Sequence, residues 1–342
     1  MEHIAIDLGG RESQICVRND KADILEERRY PTCELKSYLS KRAPGARVLV
    51  ESSSSAFTVA DWAHDCGHQA HVVPSSLVRA LGVGERGLKN DKRDARKLSE
   101  MDCRMPMPAV HIPSALRRSH QEQVTARQAL VETRTKISNT VHSLLRAQAL
   151  PRIRATPNTL AKAVRKFLQN TPDGLAAHID QLLVVLESLN EQIAKADEAL
   201  EQIADSEPIC KNLQTMPGVG PVTSICFAAA IDDVNRFESA AKVASYLGLV
   251  PGEDTTGFKT RRTKITKAGS ARTRWTLNQA ASCMARTQPN SPLVRCFEET
   301  AKRRGKKVAI SALSRKIAVI LFAMWRDNKP YNPQKAAQEL TT

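Results

Sequence analysis

Short apolar runs open the chain. Residues 3–7, HIAID, read as a buried strand, LGG as a turn, and ESQICVRN, with its alternating apolar positions, as the hairpin partner. ARVLVESS at 46–53 and AHVVPSS at 70–76 predict two further strands, and AFTVADWAHDCG between them has helical spacing and a glycine stop. The N-terminal part therefore predicts an α/β domain, a hairpin first and a βαβ unit after it.

From about residue 114 the period lengthens to that of a helix. Leu130, Ile137 and Leu144 recur seven apart with Val141 between them, and PRIRATP interrupts the pattern. A second long helix is predicted over about 176–206, where Leu182, Leu186, Leu189, Ile193, Ala196, Leu200 and Ile203 alternate steps of four and three amid acidic neighbours. That seam predicts a helical hairpin or coiled coil, within the chain or between protomers. After 207, LQTMPGVGPVTSICFAAAI reads as helix, tight glycine turn and helix. In a helix-hairpin-helix of this kind the backbone N–H groups around Gly218 and Gly220 face a phosphate; a plain packed turn has the same pattern. VAISALSRKIAVILFAMW predicts a last apolar helix. The expected organisation is an α/β domain at 1–113, a helical connector at 114–206 and a mostly α domain at 207–342.

Charge adds a partner to this picture. Across 342 residues, 51 Lys and Arg against 36 Asp and Glu give a net charge of +15, which favours a polyanion such as nucleic acid. Between 259 and 274 stand seven basic residues and no acidic one: Lys259, Arg261, Arg262, Lys264, Lys267, Arg272 and Arg274. KRRGKK adds Lys302, Arg303, Arg304, Lys306 and Lys307. Solvated basic faces usually mix with acids, so these segments are expected to contact phosphates. No run of 18 consecutive apolar residues and no signal-like N-terminus occur, so a cytoplasmic protein without a membrane partner is expected. The eight cysteines form no CxxC or CxxH pair, which predicts reduced thiols and no zinc.

KNDKRDARKLSE at 89–100 sets Asp91 and Asp94 on one helix face inside a basic run. Alone they read as solvated ion-pair partners. Cleavage of a phosphodiester by two metal ions, however, needs about four carboxylates converging from strand ends and a helix. Asp7 at the end of the first strand, Glu51 at the end of a central strand, and Asp91 with Asp94 on a later helix supply that set. The order is that of the ribonuclease-H-like nucleases.

Six stretches carry a resemblance. IAIDLGG, VLVESS and KNDKRDARKL resemble the RuvC-like domain of the DEDD transposases and recombinases of bacterial insertion sequences, relatives of the Piv DNA invertases. MPGVGPVTS, YLGLVPGEDTTG and ITKAGSARTRW resemble their C-terminal transposase domain. The match covers nearly the whole chain, in the family's order.

The resemblance implies a RuvC-like N-terminal domain, a coiled-coil connector and a mostly α C-terminal domain. It implies strand cleavage and exchange on donor and target double-stranded DNA without target duplication, guided by an element-encoded bridge RNA. It further implies Mg²⁺, with Mn²⁺ able to substitute, on Asp7, Glu51, Asp91 and Asp94, and an oligomer, dimer or tetramer. The family's serine nucleophile is represented here by the threonines of PGEDTTG. Thr256, directly before Gly257, fits the motif position; Thr255 and an impaired copy remain alternatives. A further departure is that Glu51 precedes SSSS where the family has a small residue and glycine. Two rival functions stay open: a RuvC-like DNA or junction nuclease acting by hydrolysis, and a catalytically impaired nucleic-acid-binding remnant.

Overall fold

The computed structural model describes residues 1–80, 91–169, 177–256 and 259–334, and the chain divides into two units, Met1–Pro113 and Ser114–Thr342. In the first, β1 (His3–Asp7), β2 (Glu12–Arg18) and β3 (Ile24–Pro31) form an antiparallel meander. There follow α1 (Leu35–Ser40), β4 (Arg47–Glu51), α2 (Ala56–Asp65), β5 (Gln69–Val73), α3 (Ser75–Ala80) and α4 (Asp91–Arg104). The sheet order is β3-β2-β1-β4-β5, with β4 parallel to both β1 and β5.

Side-chain alternation assigns the two faces of this sheet. Ile4, Ile6, Val48 and Val50 enter one core with Leu35 and Leu39 of α1 and Val59 and Ala60 of α2. Ala5, Leu49 and Val73 face the other way, against Leu98 of α4. With a period of two, the odd-numbered residues of β1 and β4 are thereby committed to the α4 side. The hydrophobic pattern gives no sign of β3: its sequence, ILEERRYP, has no fully buried position, and it is one of the two outer strands of the sheet.

The second unit comprises α5 (Ala115–Ala147), α6 (Leu160–Leu168), α7 (Ala177–Ser206), α8 (Pro208–Gln214), α9 (Pro221–Ile231), α10 (Ala240–Tyr246), β6 (Pro251–Thr256), β7 (Lys259–Ile265), α11 (Ala271–Thr287), α12 (Pro292–Arg304) and α13 (Lys306–Asp327). Ser114 begins α5 as its N-cap, accepting from the Arg117 N–H at 3.3 Å. α5 and α7 pack along each other within the chain. Leu186, Ile193 and Leu200 are buried, as the predicted seam requires. The second column differs: Leu182, Leu189, Ala196 and Ile203 are half-buried, and the fully buried positions are Leu183 and Ala204. Between those two, on the same heptad column, stand Asn190 and Asp197. The cause is polar pairing across the helices, Arg127 Nε to Asp197 at 2.7 Å and Arg134 Nη1 to Asn190 at 3.3 Å.

α9 is apolar on every side and runs through the interior, and Phe227 joins Leu277, Leu321 and Phe322 in the largest core. α13 is long and apolar enough by composition to cross a bilayer, but half of its apolar window is buried in this core. A mostly α unit is thus realised, with one departure: the basic stretch from 259 is a strand of a two-stranded sheet, β6 paired antiparallel with β7.

All eight cysteines are free thiols. Burial pushes Cys210 up to about 12 and Cys226 up to about 11, so neither forms thiolate near neutrality. Native protein treated with a chromogenic disulfide reagent at pH 8 is expected to react at exposed Cys33 first, and at Cys210 and Cys226 only after denaturation. Rapid labelling of either in native protein would contradict this core packing.

Candidate active site

Two of the four carboxylates predicted to hold metal can be placed by register. Ile6 pairs with Val50 in the parallel β1–β4 ladder, so Asp7 and Glu51 are the next residues along two adjacent strands, at their C-terminal ends. Both are odd-numbered and half-buried, and so belong to the face covered by α4. In open α/β sheets that strand end is where ligands bind.

The position of α4 over these strands is fixed at its far end. The Asp102 side chain, fully buried, takes two hydrogen bonds from Arg47, Nη2 to Oδ1 at 2.7 Å and Nε to Oδ2 at 3.1 Å, and lies 2.5 Å from His3 Nδ1. One carboxylate thus ties α4 to the first residues of both β1 and β4. Ser99 adds a hydrogen bond from Arg18 Nε at 3.1 Å, and Arg96 pairs with Glu27 of β3.

The helix then runs back along β1. From Asp102 to Asp94 is eight helical residues, about 12 Å; from His3 to Asp7 is four strand residues, about 13 Å. The two advances match, so Asp94 is level with Asp7 along the strand direction, Leu98 shares a core with Ala5 midway, and Asp91 precedes Asp94 by three residues of the same helix. Four hard oxygen donors of this kind suit Mg²⁺ or Mn²⁺. Among the described residues no three His, Cys, Asp or Glu side chains are drawn together at coordination distance. For Asp91 only the backbone is described, as for Thr255, Thr256, Lys259 and Arg262.

In the second unit, the stretch holding the predicted nucleophile is the β6–β7 hairpin. Thr255 pairs with Thr260 and Thr256 with Lys259, which puts Thr256 at the distal end of β6. Glu253 and Asp254 stand across from Arg262 and Arg261. The foot of the hairpin is closed by backbone contact: Thr266 N–H donates to the Val250 carbonyl at 2.9 Å and Lys267 N–H to the Gly248 carbonyl at 3.2 Å. Gly248 has φ +68°, and a Cβ there would fall 2.2 Å from the Ala268 carbonyl oxygen.

Three residues read above as nucleic-acid contacts are used internally. Arg274 Nη1 donates to the carbonyls of Leu247, Ala268 and Gly269 at 3.2, 2.5 and 3.0 Å, bracing the hairpin foot, and its partial burial lowers its pKa. Gly218, φ +87°, packs against α11, where a Cβ would lie 2.5 Å from the Ala280 carbonyl oxygen. The glycine turn is therefore seated on a helix at that point, while Gly220 has open space around its α-carbon. Arg272 reaches Thr125 of α5. Ser270, a further hydroxyl of the basic segment, is the N-cap of α11, accepting from Thr273 N–H at 3.2 Å. Arg261, Lys264, Lys267, Lys302, Arg303, Arg304, Lys306 and Lys307 are exposed.

A transposase profile of the DEDD type matches residues 4–149, and that described as the transposase IS116/IS110/IS902 family matches 210–294. A probable family 20 transposase of Pseudomonas aeruginosa is 25% identical over 339 residues, 97% of this chain and 99% of the relative. The transposase for insertion sequence element IS1328 of Yersinia enterocolitica is 27% identical over 94% of this chain and 96% of its own length. That for element IS1111A of Coxiella burnetii is 27% identical over 76% and 73%. Sheet and matches together define a RuvC-like, divalent-metal-dependent enzyme that acts on DNA. The chain belongs to the DEDD transposases of the IS116/IS110/IS902 insertion-sequence family.

The sequence reading missed the His3–Asp102–Arg47 clamp. Its signal was the helix face on which Asp94, Leu98 and Asp102 recur every four residues, visible only once that face is known to cover the sheet. Asp102→Ala is expected to cost about 3–5 kcal/mol, because Arg47 and His3 lose their shared buried partner. Hydrogen exchange should show faster opening of β1 and β4. Unchanged protection of both strands would refute the clamp.

Proposed function

We propose that this transposase is a site-specific recombinase that cleaves and exchanges strands of donor and target duplex DNA through a covalent protein–DNA intermediate, guided by a structured RNA of its element. The observation that supports the proposal is that Asp7 and Glu51 end adjacent parallel strands on the sheet face that also carries α4, the helix of Asp91 and Asp94. These four would hold Mg²⁺, or Mn²⁺ in its place. When bound, the metal neutralises charge building on the scissile phosphate.

The Thr256 hydroxyl would attack phosphorus, forming a phosphothreonine ester while the phosphorus–oxygen bond to the leaving strand breaks and that strand's oxygen takes up a proton. Thr255 is the neighbouring alternative. The threonine methyl restricts χ1 and crowds the in-line approach, which favours, as a second reading, hydrolysis by water at the same carboxylates. The exposed cations Arg261, Lys264 and Lys267, with those at 302–307, would hold the DNA and RNA backbones, a role consistent with the net charge of +15. Strand exchange needs at least two copies; Val184 and Val185, exposed on α7, offer apolar surface for that assembly.

Incubation with DNA, Mg²⁺ and co-purified RNA, followed by denaturing electrophoresis, is expected to trap a protein–DNA adduct that Thr256→Ala loses and Thr255→Ala keeps. Asp7→Asn and Asp94→Asn should each slow cleavage by about a hundredfold or more with DNA affinity within about twofold of wild type. Cleavage without any adduct would remove the nucleophile and leave hydrolysis. Sequencing RNA that co-purifies with the protein tests the guide: host RNA alone, without an element-encoded structured species, would end that part of the proposal.

A further inference from the structure

Between the foot of the β6–β7 hairpin and the helices α12 and α13 lies a groove of two chambers. The larger, about 1350 Å³, is basic, with Arg261, Lys264, Lys267, Arg304 and Lys307 on its walls and Asp254 the one acid. The smaller, about 500 Å³, has an apolar floor of Ile265, Leu293, Val308, Ala312, Val319 and Ile320. Pro251, Ile265, Arg304, Val308 and Ser311 line both, so the chambers open into each other.

Two features of the smaller chamber identify an occupant. Its size is that of a small-molecule site, about 300–1,000 Å³. Its rim carries Arg303, Arg304, Arg315 and Lys316 and no carboxylate. None of these four makes an ion pair among the described residues; Lys316 Nζ lies 3.1 Å from Cys296 Sγ. Cations at the end of α12 complement that helix's own dipole, but Arg315 and Lys316 sit in the middle of α13 and Arg261, Lys264 and Lys267 on the hairpin, where no such need exists. Apolar floor and unpaired cationic rim together match a nucleotide, whose base is a flat apolar face and whose flanking phosphates are anionic. In a duplex that base face is stacked and cannot enter, so the fit is to an unpaired nucleotide.

We infer that this double groove holds one unpaired nucleotide of a DNA strand, its base in the apolar chamber and its neighbouring phosphates in the basic one. The inference rests on the recombinase reading for its choice of DNA over RNA, because the hairpin that walls the groove also carries Thr256. Such a site would keep a strand open beside the point of cleavage.

The test uses full-length protein in EDTA, with fluorescence anisotropy of a labelled oligo(dT) and of a duplex of equal length. Ala312 is exposed on the chamber wall, so Ala312→Trp fills the chamber from outside. It is expected to weaken oligo(dT) binding about tenfold, the scale of one lost base contact, while duplex affinity stays within about twofold and Ala312→Ser changes neither. Oligo(dT) bearing 5-iodouracil should photo-crosslink to α13. Equal losses on both DNAs, no loss at all, or crosslinks elsewhere would overturn the site. Tighter binding of oligo(rU) than oligo(dT), lost in the same variant, would make the occupant RNA and overturn the assignment to DNA. If Ala312→Trp fails to fold, Val308→Trp, at a second exposed wall position, decides. Binding in EDTA needs neither metal nor nucleophile. Loss of the adduct assay with a retained oligo(dT) effect therefore sinks the recombinase reading alone, and the converse sinks the groove alone.

Discussion

A carboxylate with no access to water must be met by donors, and Asp102 meets that demand by drawing on two different strands. Arg47 opens β4 and His3 opens β1. Buried ion pairs add little net stability, but they tolerate no sliding, since any shift of α4 strands three polar groups at once. The acids at the opposite ends of the same strands thereby inherit a fixed separation from the acids on the helix. The geometry of the candidate site at one end of the strands is set by electrostatics at the other, with Ala5, Leu49 and Leu98 as the dry spacer between them. The small side chain of Ala5 matters here, because it lets the helix approach the centre of the sheet closely.

How much of this was legible in the sequence follows from how local each signal is. β1 and β4 are short apolar runs that bury both faces, and the identity of the residue at each strand end could be read directly, which is how Asp7 and Glu51 could be read as strand-end acids. The side of the sheet they face was equally latent, since it is set by whether their numbers are odd or even. β3 was illegible because, unlike the other outer strand β5 with its buried Val72 and Val73, it carries no buried apolar position. The clamp was illegible because it joins residues 3, 47 and 102, and each of them alone is an ordinary polar side chain. In the second unit, LGLVP and ITKAG were visible as a matched pair of motifs, but that they lie against each other at the foot of a hairpin requires the Gly248 contact and the three carbonyls of Arg274. Counting basic residues could not separate Arg274, spent on that brace, from Lys264 or Lys267, which remain at the surface.

The heptad reading of α7 was half right for a related reason. Hydrophobic periodicity locates the column of Leu186, Ile193 and Leu200, yet the second column is chosen by α5, whose Arg127 and Arg134 need Asp197 and Asn190 opposite them. Sequence pattern within one helix cannot report a demand made by its partner.

The polar middle of that pair has a mechanical consequence. Two apolar helices can slip by a turn at modest expense, whereas here a slip would set Arg127 and Arg134 against leucine and isoleucine. α5, 33 residues long, spans about 50 Å, and with its neighbour pinned at both ends and the middle it behaves as a stiff strut of set length. Bound to the helical core at its base and closed by α6 at its tip, such a strut transmits a tilt at one end as a much larger displacement at the other and absorbs little of it on the way.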